Sequence, residues 1–134
     1  MLMLKNTEVY NRGLDLLKKL HGGHAGEAII ESLHDICPDY ATMTIEWGFG
    51  TMFSREGLDS KTRELAIISS CVTLGNAMPQ LIAHIEAAFN VGASKREVVE
   101  VILQTALCAG FPAVTNALLA AKELLSGANE FNRS

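Results

Sequence analysis

The sequence predicts an all-α fold, and the make-up of its apolar residues, their spacing and the punctuation at segment ends carry that reading. Hydrophobic residues are 49% of the 134-residue chain but aromatics only 6%. The core must therefore be built from Leu, Ile, Val, Ala and Met, a mixture that suits packed helices better than sheets. Apolar positions recur at three- and four-residue intervals, and no segment of useful length alternates with the period of a half-buried strand. Capping residues, Pro and Gly fall where helix ends need them.

Asn6 or Thr7 can cap a first helix in which Tyr10, Leu14 and Leu17 form one apolar stripe, ending before Gly22-Gly23. His21, His24 and Gly26 belong to a Gly-rich connection. Glu27 to Ile36 reads as a short helix with Ile29, Ile30, Leu33 and Ile36 inward. Pro38 suits the first turn of the next helix, where its missing N–H would have no partner anyway. That helix carries Tyr40, Met43 and Trp47 on one face and is expected to fray at Gly48 and Gly50.

Asp59 or Ser60 caps a helix running to about Leu74, with Gly75 past its end. Only Ser69, Ser70 and Thr73 are polar between Leu65 and Leu74, so this helix is expected at the centre, apolar nearly all round. Pro79 starts the next helix, with Leu81, Ile82, Ile85, Ala88 and Phe89 on its buried side and Gly92 as its left-handed stop. Ser94 with Glu97 is a full capping box. From it Val98, Val99, Ile102, Ala106 and Leu107 carry one helix to Gly110. Pro112 opens the last helix, which runs to Leu125 and leaves a polar tail. The total is about six or seven helices in one domain spanning 1–134, with the pair between Ser60 and Gly92 antiparallel at its centre.

Eleven Lys and Arg against fifteen Asp and Glu give a formal charge of -4, with no basic run, so no nucleic-acid partner is expected. No uninterrupted apolar stretch is long enough for a membrane span. The mean hydropathy of +0.20 is high for a soluble monomer, and the apolar excess is assigned to subunit contacts. Met1 to Leu4 lacks the features of a signal peptide. Three widely spaced cysteines suit a reducing cytoplasm better than a disulfide framework.

His84 lies beside Leu81, Ala88 and Val91 at the edge of an apolar face. It is either a core His satisfied by one carbonyl or water, or a group poised to move a proton near neutrality. Arg63 and Glu64 sit in the first turns of the central helix. Arg63 either pairs with a surface acid or anchors a substrate carboxylate through its planar fork. Glu64 either gains from the helix dipole or orients His84. In a hairpin symmetric about Ala77, His84 faces roughly Ser70, so a direct bond to Glu64 would need staggered helices or another subunit. His21, His24 and His34 could be drawn as a metal site, but the first two sit in a Gly-rich loop without an acidic or Cys ligand at a familiar spacing, and no metal is expected. No phosphate loop, dinucleotide fingerprint or nucleophile elbow is present, and no cofactor is expected.

The run from Leu58-Asp59-Ser60-Lys61-Thr62-Arg63-Glu64-Leu65 through His84, Gly92, Ser94-Lys95-Arg96-Glu97 and Gly110-Phe111-Pro112 resembles the carboxymuconolactone decarboxylase family, a branch of the AhpD-like all-helical proteins. The resemblance covers about Trp47 to Leu124. It implies that His84 is functional and that Trp47 of the Trp47-Gly48 pair lines a pocket. It also implies a homo-oligomer, trimer or hexamer, acting on a small molecule. The family's authentic decarboxylases carry a His two residues before that Trp, where Ile45 stands here. Glu46 or His24 are the candidates to replace it. The peroxidase branch has a Cys-x-x-Cys shortly before the His, where this chain has Ala77 and Gln80. Cys71 and Cys108 read as small buried hydrophobes.

The function expected from these residues is a cofactor-free lyase acting on a small carboxylated lactone or related acid. His84 and Glu64 are its catalytic candidates; Arg63, Trp47, Glu46 and His24 are its substrate-binding candidates. The rivals are an AhpD-like redox protein using a single Cys and a non-catalytic oligomeric binding or scaffold protein.

Overall fold

The computed structural model describes residues 6–22, 28 and 31–127. Its chain contacts divide into two compact units, Met1–Leu58 and Asp59–Ser134. The described residues are mostly helical, with no strand among them.

In the first unit α1 spans Thr7–His21, and α2, Pro38–Met43, runs on directly into a π-helical segment, Thr44–Met52. Asn6 caps α1 through its side chain, which accepts from the Val9 N–H at 3.3 Å. The stripe that α1 buries is Gly13, Leu17 and Leu20. Gly13, not Leu14, is its centre, because another backbone comes too close there for a larger residue. Pro38 takes the first turn of α2. The expected fraying at Gly48 and Gly50 does not occur; the helix widens to π geometry and continues through both glycines. Residues 31–34 are helical. Ile36, expected inward, is 80% exposed beyond them. Glu27, Ile29, Ile30, His24 and residues 128–134 lie outside the described residues.

The second unit contains α3 (Ser60–Leu74), α4 (Met78–Asn90), α5 (Lys95–Gln104), α6 (Ala106–Ala109), α7 (Phe111–Ala120) and α8 (Lys122–Leu125). Asp59 caps α3 by accepting the Thr62 N–H at 2.7 Å, and Gly75 closes it in the left-handed region at φ 77°. The capping box of α5 forms in full, with Ser94 and Glu97 exchanging bonds of 3.0 Å. Lys61 and Glu97, 2.7 Å apart, join the starts of α3 and α5.

The core of this unit collects Ile68, Cys71 and Val72 from α3, Leu81, Ile85 and Ala88 from α4, Val98 and Ile102 from α5, and Val114 and Ala117 from α7. Each fully buried Leu, Ile or Val contributes about 1.5–3 kcal/mol relative to exposure. The α3–α4 pair thus supplies much of this core. Yet α3 buries one stripe, not all its faces; Leu74 is 67% exposed.

Two expected helices are broken. The helix from Ser94 stops at Thr105, whose hydroxyl donates back to the Val101 carbonyl at 2.9 Å and whose N–H turns to Ile102. Such back-bonding bends a helix. Beyond this break Leu107 is exposed, and so is Cys108, which was expected to be buried. The last helix is likewise interrupted at Ala121.

Candidate active site

Glu64 is the single buried Asp, Glu, Lys or Arg side chain among the described residues, at 0% exposure. It shares the stripe of Ile68, Cys71 and Val72 (i, i+4, i+7, i+8), so the fold of α3 carries its carboxylate inward with the core. Burying a lone charge is costly unless it is paired. The partner is His84 of α4, whose Nδ1 lies 2.6 Å from Glu64 Oε2. A carboxylate can only accept, so Nδ1–H donates.

This bond forms within one subunit, so the helix pair has the stagger that direct pairing needs and not the register symmetric about Ala77 in which His84 would face Ser70. The His84 side chain is 20% exposed, so one edge of the ring is sealed against Glu64 while some of the ring reaches solvent. Glu64 Oε1 is buried and has no hydrogen-bond partner among the described residues.

The same carboxylate acts along its own helix. Burial pushes the Cys71 thiol up from its ordinary range, and the Glu64 charge pushes it further. That is the opposite of what a peroxide-attacking thiolate requires. Arg63, next to Glu64, is half-buried with its Nε sealed from solvent, and its N–H donates to the Asp59 carbonyl at 3.0 Å.

The other candidates belong to the first unit. Trp47 is 62% exposed and stands with Tyr40, Met43, Thr44 and Glu46 around an open groove of about 610 Å³. It is not a core anchor. Glu46 Oε1 accepts the Asn6 N–H at 2.7 Å. Ile45 is fully buried and offers no titratable group. His21 sits edge-on to Phe49 at 5.8 Å, and His34 is exposed. The structure thus joins Glu64 to His84 and gathers Glu46 with Trp47. Sequence reasoning did not find that Glu64 is fully buried, although its place on the Ile68–Cys71–Val72 stripe carried that signal.

The family model for carboxymuconolactone decarboxylases matches residues 38–123. The chain belongs to the carboxymuconolactone decarboxylase family. Among members of this family, the 4-carboxymuconolactone decarboxylase of Acinetobacter baylyi is 31% identical over 121 residues, covering 90% of each chain. An uncharacterized 15.0 kDa protein of Paracoccus denitrificans is 35% identical over 102 residues, or 75% of this chain and 76% of that one. The nitrosuccinic acid decarboxylase of Metarhizium robertsii is 24% identical over 121 residues, covering 90% of this chain and 84% of its own. No described helix is long and apolar enough to cross a membrane.

Proposed function

We propose that this member of the carboxymuconolactone decarboxylase family is a cofactor-free carboxy-lyase for a small carboxylated lactone or a related acid. The observation that carries the reading is the 2.6 Å bond from His84 to a fully buried Glu64. Relatives named for removing a carboxyl group from a lactone and from a nitro acid support it.

In the proposed reaction Arg63 holds the substrate carboxylate through its two-pronged fork. The carbon–carbon bond to that carboxylate breaks, carbon dioxide leaves, and the electron pair passes into the conjugated lactone carbonyl. His84 then delivers a proton from Nε2 to the carbanionic carbon of the resulting enolate, and recovers one from solvent. Glu64 does not touch the substrate. It accepts from Nδ1–H, fixes the ring, and stabilises the imidazolium that precedes proton delivery. Trp47, Glu46 and His24 are assigned to substrate contact, with Glu46 or His24 supplying the titratable group that Ile45 lacks.

The test is release of carbon dioxide from 4-carboxymuconolactone and from nitrosuccinate by the purified protein and by His84→Ala. Turnover of either acid by the parent, lost in the variant, is the expected result. Absence of carbon dioxide from both would remove the lyase reading in favour of the binding-protein reading that buried Ile45 favours. The proposal includes assembly as a trimer or hexamer, for which Ile36, Leu107 and Phe111, 80%, 89% and 80% exposed, offer apolar surface. Light scattering that finds a monomer at micromolar concentration would remove that part.

A further inference from the structure

The π-helical segment Thr44–Met52 is long for its kind. Such geometry mostly occurs as single turns inside α-helices, often at functional sites, whereas this one runs nine residues. A ladder of i→i+5 bonds is rarely the preferred state of a helix left to itself, so something outside must hold it. Helix α1 does so. A Cβ on Gly13 would collide with the Ile45 carbonyl oxygen and the Gly50 amide nitrogen, which are one i→i+5 step apart. A Cβ on Gly50 would collide with the Val9 carbonyl oxygen. Beside this crossing Arg12 Nε donates to the Gly50 carbonyl at 2.8 Å, and the Asn6 N–H donates to Glu46 Oε1 at 2.7 Å. The turn clamped in this way contains Glu46 and Trp47.

We infer that Gly13 and Gly50 are positioning residues: their contact holds the π turn that sets which way Glu46 and Trp47 face. Relaxation of one π turn to α geometry would drop about one residue from that turn and swing its neighbours by about 100°. The inference rests on the reading above, in which Trp47 and Glu46 face the substrate.

The chain has one tryptophan, so its fluorescence and near-ultraviolet circular dichroism report on Trp47 directly. The experiment compares Gly13→Ala with Asn11→Ala, because Asn11 is an exposed position of the same helix. Gly13→Ala is expected to change the Trp47 signal and its quenching by acrylamide with helical content retained, whereas Asn11→Ala leaves the signal as in the parent. With 4-carboxymuconolactone as substrate, Gly13→Ala is expected to raise KM about tenfold with kcat within about twofold. If Gly13→Ala does not fold, Arg12→Leu, which removes the 2.8 Å bond to Gly50, must move Trp47 in its place. An unchanged Trp47 signal in the folded variant, an equal change in Asn11→Ala, or a changed signal with an unchanged KM would overturn the inference. Lack of turnover by the parent would instead remove the lyase reading, with the Trp47 measurements still deciding whether the glycine contact holds the turn.

Discussion

Removing the His84 ring should destabilise the protein far more than deletion of a side chain that is 20% exposed would suggest. The reason lies in Glu64. Its Oε1 has no partner among the described residues, and its Oε2 depends on His84 at 2.6 Å. His84→Ala would leave a carboxylate of 0% exposure with both oxygens bare. Breaking a buried pair from one side in this way costs about 3–5 kcal/mol. With a urea dependence of about 2 kcal/mol per molar, the unfolding midpoint should fall by about 1.5–2.5 M. The assay is urea unfolding followed by helical circular dichroism at neutral pH, on the parent, His84→Ala and His84→Ala/Glu64→Leu. The double variant should recover most of the loss, because it removes the orphaned charge along with its partner. A single variant within about 0.5 kcal/mol of the parent would refute the reasoning, since surface-like changes stay in that range.

Cys71, buried and held above its ordinary thiol range by burial and then by the Glu64 charge, should resist a thiol reagent in the native state while the exposed Cys37 and Cys108 react. Mild peroxide should give no intramolecular disulfide by intact mass, and a rapid, reversible Cys71–Cys108 bond would contradict this. Glu97 is held below the usual carboxylate range by the Lys61 ammonium first and the Ser94 N–H next. Its folded value lies under its unfolded one, so its contribution is full above the ordinary glutamate range and fades as pH falls through the folded value. The stability difference between parent and Glu97→Gln should therefore shrink in acid, and a difference that grows on acidification would show the sign to be wrong. Ser94→Ala, which removes the other half of the capping box, should cost about 1 kcal/mol in the same unfolding assay.

The parts of this fold that were legible in the sequence are those set by neighbours along the chain. Asn6, Asp59 and the Ser94–Glu97 box cap helices with their own side chains, and Pro38 needs only its missing N–H, so no distant contact had to be known. The π-helical segment was not legible, because Gly48 and Gly50 look like helix ends until Gly13 is known to press on the Ile45 carbonyl. Nor was the break at Thr105, where no Gly or Pro marks it and the backbone N–H turns to the Ile102 carbonyl. Periodicity places Ile36 inward and the apolar run around Cys108 reads as buried, because both readings assume unbroken helices. At the site, residue types pointed to Glu64, His84 and Arg63, but the bond between the first two depends on how far one helix slides along the other. No local signal encodes that slide.

The central claim, that Glu64 acts through His84 rather than on the substrate, is tested most directly by a double-mutant cycle in kcat/KM for 4-carboxymuconolactone. Glu64→Gln, His84→Ala and the combined variant are compared with the parent. Loss of a proton-transfer group costs about 10²–10⁴-fold, so His84→Ala should fall in that range and Glu64→Gln should lose less. If Glu64 works only through the imidazole, the combined variant will be no slower than His84→Ala alone. Losses that multiply in the combined variant would contradict the account, because Glu64 would then be contributing by a route that does not pass through His84.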